Sequence, residues 1–280
     1  MKGTLAFDID GTITHHPTML PDLIVDQLTR WAKNWHIVLI TGRPFSYAKK
    51  PLQTLTFPYI LGVQNGADVI SMPEERRVAK HYVGRAIIDM LEKIYQNEKE
   101  SFFIYRGFEA QDYCYYRPHC HSKEMLEYVR KVTSKTGLPW TAIDELSEIS
   151  EESFPLIKCV GPKKTLHRIA KQIADMPDLN IAQVADPIFP QYDLLLINDR
   201  QANKGKALQH LIEQKRCRRP LIVAGDDNND IPMMKEADFA VGMNGGSPSI
   251  EPYVTIKVDF DEGRGLIKGI EEGIKYVSSK

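Results

Sequence analysis

Phe7-Asp8-Ile9-Asp10-Gly11-Thr12-Ile13-Thr14 is the stretch on which the rest of the chain turns. Leu5, Ala6 and Phe7 make a short apolar run with Asp8 at its end, and Gly11 brings the first strong turn signal. Two carboxylates therefore stand where a buried strand breaks open. Residues two apart in a strand point the same way, so Asp8 and Asp10 share a face if the pleat continues that far. There they repel each other unless a cation or a proton intervenes. Asp and Gly also end strands for backbone reasons alone, so the octapeptide needs partners elsewhere before it reads as chemistry.

Outward from it, residues 20–35 carry Leu20, Leu23, Ile24, Leu28 and Trp31 at helical spacing. Residues 36–40 form a continuous apolar strand that runs into Thr41-Gly42-Arg43-Pro44, and Pro44 suits the first turn of a helix carrying Ala48 and Leu52. A third strand at 59–63 ends at Gln64-Asn65-Gly66-Ala67. Strand, helix, strand, helix, strand predicts a parallel sheet with helices on its faces. The pattern then changes. Residues 69–83 read as a ribbon leading out of the sheet, followed by helices at 84–98, 122–136 and 163–175. Strands are expected at 102–105, 113–116, 156–160, 180–184 and 193–197, with an acidic loop at 144–152. Adjacent strands without an intervening helix predict an inserted α+β module over 83–197, dividing a Rossmann-like α/β core into 1–82 and 198–280. In the second part a helix from Lys204, strands at 221–224, 239–242 and 254–258, and a helix at 265–276 resume the first pattern.

The 280 residues carry a net charge of −1, with 42% hydrophobic and 26% charged residues, so disorder is not indicated and no nucleic-acid footprint appears. There is no apolar run of membrane-spanning length, and the first strand begins too early to leave room for a signal peptide, which makes the cytoplasm the default expectation. Cys114, Cys120, Cys159 and Cys217 are too few and scattered for a disulfide framework. Oligomeric state is not legible.

Four places share one description, an apolar strand whose carboxyl end releases a polar or glycine-containing turn: residues 8–12, 41–43, 64–67 and 225–230. In open α/β sheets such ends line the ligand crevice. Lys204, at the start of a helix, adds a cation there. Clustered carboxylates favour a hard divalent cation such as Mg²⁺, while a lysine, a threonine hydroxyl and free backbone amides favour phosphate. Together they suit phosphoryl transfer.

In order, Asp8-Ile9-Asp10-Gly11-Thr12, Thr41-Gly42-Arg43, Lys204-Gly205 and Gly225-Asp226-Asp227-Asn228-Asn229-Asp230 resemble the four motifs of the haloacid dehalogenase superfamily. Gln64-Asn65-Gly66-Ala67 and Ala237-Asp238-Phe239-Ala240-Val241-Gly242 resemble its Cof-like phosphatases. The resemblance implies an inserted cap domain, Asp8 as nucleophile and Asp10 as general acid and base. It further implies Thr41, Gly42, Arg43, Lys204 and either Asn65 or Asn229 at the phosphate or substrate, and Mg²⁺ held by Asp8, Asp226 and the Asp10 backbone carbonyl. Asp230 would orient Lys204 or a metal-bound water. Asp10 favours phosphomonoester chemistry, because dehalogenases of this type lack that aspartate and the transport ATPases carry threonine there. With 162 residues between Thr41 and Lys204, the lid is expected from the insert, unlike the helical lid typical of hexose-phosphate mutases. The implied activity is hydrolysis of a small-molecule phosphate ester, a sugar phosphate above all, with no nucleic-acid or membrane partner. Phosphoryl transfer to a second sugar and a silent ligand-binding homologue stay open.

Other features point less far. Cys114, His119, Cys120 and His121 match no usual zinc spacing. Tyr113, Tyr115 and Arg117 are candidates for reading a sugar, with strand packing as the plainer role. His15 and His16 lie just past the first turn. Asp227 and Asn228 suit a helix cap, Thr12 and Thr14 suit turn geometry, and residues 245–247 read as a flexible connector.

Overall fold

The computed structural model describes residues 1–138, 140–186 and 189–279. They cluster into two compact units, one of residues 1–43, 48–80 and 203–280 and the other of residues 44–47 and 81–202.

In the first unit, β1 (Thr4–Phe7) has no solvent exposure, because it is paired on both edges and covered on both faces. That is why its sequence is a continuous run and not an alternation. α1 (Asp22–Ala32) buries Ile24, Leu28 and Trp31, and the Trp31 ring stacks on Phe7 with centroids 5.9 Å apart. β2 (His36–Ile40), α2 (Phe45–Leu52) and β3 (Tyr59–Val63) continue the winding. Pro44 immediately precedes α2 instead of opening it. The expected ribbon is instead part of the main sheet: β4 (Asp68–Met72) pairs antiparallel with β3, and β5 (Arg76–Lys80) pairs antiparallel with β4 to form the edge. Reading it as an exit missed that Val69, Ile70 and Met72 are buried and need a sheet neighbour.

The second unit has β6 (Val83–Gly84), α3 (Ala86–Tyr95), β7 (Phe102–Tyr105), β8 (Cys114–Tyr116) and α4 (Lys123–Thr136). β9 (Trp140–Ala142), β10 (Ser153–Phe154), β11 (Leu156–Gly161), α5 (Lys163–Ile173), β12 (Leu179–Ala185) and β13 (Asp193–Asp199) complete it. Its main sheet runs β12-β13-β11-β7-β8-β9. Side-chain alternation separates two cores. Ile104, Ile157 and Ile197 pack with α3 and α5, while Phe103, Tyr105 and Val160 pack with α4. The boundaries fall at 80/81 and 202/203 and not at the expected 82/83 and 197/198, since β13 continues to Asp199. The acidic loop also holds more structure than expected, a 3₁₀ turn over Leu146–Glu148, and β10 follows it directly.

The chain returns to the first unit with α6 (Lys204–Glu213), β14 (Leu221–Gly225), α7 (Ile231–Glu236), β15 (Phe239–Met243), β16 (Ile256–Val258) and α8 (Arg264–Ser278). The strand expected from residue 254 begins only at Ile256, after a 3₁₀ turn over Pro248–Tyr253. The eight-stranded order is β16-β15-β14-β1-β2-β3-β4-β5, parallel from β16 to β3. β1 is thus central, and the carboxyl ends of β14, β1, β2 and β3 lie side by side. No described helix is long and apolar enough to cross a membrane.

Phe7 makes the central strand a test of this packing. Phe7→Ala is expected to cost about 3–5 kcal/mol in urea unfolding, the range for deleting a buried ring. A loss near that of a surface substitution would mean that Trp31 closes the space.

Candidate active site

Asp8 follows the last residue of β1 and donates its backbone N–H to the carbonyl of Ala224 at 3.0 Å, which ties it to β14. The chain then folds tightly back, with Ile13 and Thr14 N–H both donating to the carbonyl of Ile9 at 3.1 and 3.2 Å. Gly11 adopts φ +76°, and a Cβ there would fall on the Asp226 carboxylate. Glycine is required both by the left-handed backbone and by this approach.

Asp226 follows β14 and enters a 3₁₀ turn over Asn228–Asp230. Asp227 caps that turn, as its residue type suggested. Asp230, fully buried, accepts the N–H groups of Asp226 and Asp227 on Oδ2 at 2.8 and 3.0 Å. Its Oδ1 accepts Lys204 Nζ at 2.6 Å, and the same ammonium donates to Asp8 Oδ1. Lys204 is the first residue of α6, whose N-cap Asn203 accepts Lys206 N–H at 2.9 Å. Ala207, Leu208 and Leu211 bury the helix and hold Lys204 inward with no exposure.

Oxygens of Asp8, Asp226 and Asp230 lie within 4.8 Å of one another, so three carboxylates face one ammonium. Burial pushes the Asp8 carboxyl well above the usual carboxylate range. Lys204 opposes this, and Asp230 and Asp226 reinforce it. Burial, then Asp230, raises Asp226 to about 6 against the pull of Lys204. Burial alone would lower Lys204, but Asp230 and Asp8 outweigh it and leave its pKa above the ordinary lysine value. The cluster is short of positive charge, and a further cation at Asp8 and Asp226 would relieve it. Their oxygen donors suit a hard divalent ion. Among the described residues this is the only group of three or more side chains arranged to hold a metal.

Thr41 is buried at the end of β2, and its hydroxyl accepts the Arg43 N–H at 3.1 Å. Asn65 sits at φ +61° and donates its N–H to the Thr41 carbonyl at 2.8 Å, and its side-chain oxygen accepts Asn229 Nδ2 at 3.1 Å. A Cβ at Gly42 would lie 3.5 Å from Asn65 Oδ1 and 3.9 Å from Asn229 Nδ2, so three loops meet there. Arg43 differs from expectation. It grips the Asp10 carboxylate through Nε, 2.8 Å from Oδ2, and through Nη2 on Oδ1. The Asp10 carboxyl is not in the three-carboxylate group, and 56% of its side chain is exposed.

Sequence reasoning undervalued three places. Thr12 Oγ1 donates to Asp226 Oδ1 at 3.3 Å. The supposed connector is pinned, because Ser247 N–H donates to the Asp226 carbonyl at 2.7 Å and its hydroxyl to Asn228 Oδ1 at 2.8 Å. Gln64 is buried beside Asn65 with neither amide atom partnered among the described residues. A polar residue ending a buried strand was the available signal. By contrast, the second unit accounts internally for other candidates. Arg117 pairs with Glu92 at 2.9 Å, Arg106 lies over the rings of Tyr113 and Tyr115, and His121 stacks on Phe103 with centroids 4.9 Å apart. His15 meets Phe260 edge-on, and His16 Nδ1 accepts Thr18 N–H at 3.2 Å.

Lys204→Met leaves Asp8 and Asp230 buried without their shared cation, and is expected to destabilise by about 3–5 kcal/mol in urea unfolding. Removing Arg264, which pairs with Asp261 in solvent, should change little. Equal effects would show that the buried trio does not depend on Lys204.

A family model for haloacid dehalogenase-like hydrolases matches residues 5–270. None of the curated proteins matches the chain in sequence. Among solved structures, a haloacid dehalogenase-like hydrolase from Bacteroides thetaiotaomicron superimposes with a TM-score of 0.77 at 18% identity, covering 97% of this chain and 99% of that one. The phosphatase BT1666 of the same organism gives 0.75 at 17% identity, covering 97% and 95%. BT4131, described as a subclass IIB sugar phosphatase, gives 0.71 at 17% identity, covering 97% and 99%. At these identities the likeness is one of fold, and the family match over nearly the whole length, on a core carrying the ordered motifs, makes this chain a member of the haloacid dehalogenase-like hydrolases.

Proposed function

We propose that the protein is a Mg²⁺-dependent phosphatase of the Cof-like type, acting on small phosphomonoesters and most naturally on sugar phosphates. The observation that carries this is the group of buried Asp8 and Asp230 and half-buried Asp226 around Lys204, an oxygen-rich site short of positive charge at the carboxyl end of the central strand. The sugar phosphatase BT4131 shares the fold and supports the substrate class.

In this reading Asp8 attacks phosphorus, the ester P–O bond breaks, and the Asp10 carboxyl gives its proton to the departing oxygen. Water then attacks the aspartyl-phosphate, passes a proton to Asp10, and releases phosphate and a free Asp8. Lys204, Thr41 and the Asn65–Asn229 pair hold the phosphoryl oxygens, with Arg43 and Gly42 beside them. Asp8, Asp226 and the Asp10 carbonyl would hold Mg²⁺, which when bound supplies charge neutralisation at phosphate. Asp230 fixes Lys204 and the Asp226 backbone. General acid–base help provides only about 10²–10⁴ of an acceleration that can reach ~10²¹ for phosphate monoesters, so the charged cradle must carry most of it. The second unit would bring substrate selection.

A phosphate-ester panel assayed with Mg²⁺ and with EDTA is expected to release phosphate only with the metal. Asp8→Asn should lower turnover on the order of 10⁶-fold, the scale seen when a covalent nucleophile is removed, with unchanged circular dichroism. A near-normal rate would take Asp8 out of the nucleophile role.

Asp226, raised to about 6, resists ionisation in the metal-free fold. Its contribution to stability is therefore present at low pH and lost as pH rises through 6, where a bound cation recovers it. The Tm difference between Mg²⁺ and EDTA should be small at pH 5 and level off above pH 7. A difference independent of pH would count against Asp226 as ligand.

A further inference from the structure

Arg43 was expected at the phosphate, yet its guanidinium is engaged elsewhere. Nε donates to Asp10 Oδ2 at 2.8 Å, Nη2 donates to Oδ1, and Nη1 donates to the Pro17 carbonyl at 2.6 Å. The backbone is fixed at both ends of the residue, because its N–H donates to the Thr41 hydroxyl at 3.1 Å and its carbonyl accepts Gln64 N–H at 2.9 Å. Its side chain is only 7% exposed, whereas that of Asp10 is 56% exposed. A buried, anchored fork therefore holds an exposed carboxylate that has no packing of its own to select a rotamer.

We propose that Arg43 is the positioning residue of Asp10, setting the direction in which its carboxyl meets the departing oxygen, and is not a phosphate ligand. This rests on the phosphatase reading above. The physical need is clear from the exposure. A carboxyl on a tight turn in solvent samples several rotamers, and a proton donor must lie within hydrogen-bond reach of one oxygen when the P–O bond breaks. Two parallel N–H···O bonds from a planar fork fix both distance and plane, which the point charge of a lysine cannot. The Pro17 carbonyl completes the device by fixing the fork relative to the same loop that bears Asp10. Either oxygen of Asp10 can be given up to a proton or to substrate while the other keeps its bond to the guanidinium.

The two roles separate by leaving group. p-Nitrophenyl phosphate departs without a proton, whereas an alkyl phosphate such as a hexose 6-phosphate needs one. With the intact protein and Mg²⁺, Arg43→Ala is expected to lower kcat/KM for the alkyl ester about 10²-fold, the scale of a misplaced catalytic group, and that for the aryl ester by less than about threefold. The inhibition constant of inorganic phosphate should not move. Arg43→Lys, which keeps the charge and guards against a variant that fails to fold, should fall between the two in its leaving-group selectivity. Equal losses on both esters with weaker inhibition by phosphate would make Arg43 a phosphate ligand and overturn the proposal. Unchanged kinetics in both variants would overturn it as well, leaving the contact structural. If the unmodified protein cleaves neither ester nor any other in the panel, the phosphatase reading itself falls and this inference with it.

Discussion

A lysine without solvent exposure, donating to carboxylates that are 196 and 26 residues away in sequence, is the interaction on which the rest of the first unit depends. Burying three ions is costly, and their mutual attraction repays it only when the geometry is rigid and the remaining lone pairs are satisfied. Asp230 meets that condition by spending its second oxygen on the Asp226 and Asp227 amides. Asp8 and Asp226 do not, and burial raises both. The site is rigid as a frame and short of positive charge at Asp8 and Asp226.

The sheet supplies the rigidity. β1 is buried on both faces between β14 and β2, so the loop after it cannot shift without moving the core. Gly11 brings its turn against Asp226, and the pinned Ser247 loop supports Asp226 from its carbonyl. The inserted unit interrupts none of this, because the chain leaves after the antiparallel edge strand β5 and returns at Asn203, one residue before α6. It has cores on both faces of its own sheet. There a second buried lysine, Lys158, is handled differently, with the rings of Tyr105, Tyr128 and Trp140 within 5.9 Å of its ammonium. Burial lowers its pKa, whereas the carboxylates around Lys204 reverse that effect.

Much of the parallel core was legible because buried strands ending in polar turns leave a local trace. Residues 36–40, 59–63 and 221–224 showed it, and the ordered motifs tied those strand ends to one crevice. The hairpin of β4 and β5 reads as a ribbon leaving the sheet because β4 joins β3, and the edge strand β5 joins β4, through backbone groups that any residue carries. β9 and β10 were missed because strands of three and two residues carry no periodicity.

The site divides along the same line. Residue types at strand ends and at the start of α6 brought Asp8, Asp10, Thr41, Lys204, Asp226 and Asp230 forward as candidates, and the resemblance to the haloacid dehalogenase motifs gave them their expected roles. Which group touches which was not in the order of residues. Arg43 could as well have faced a phosphate as Asp10, and Ser247 could have been slack. Only the tertiary structure decided these, because a side chain's partner is set by where separate loops converge, and that depends on packing at distances the local pattern does not encode.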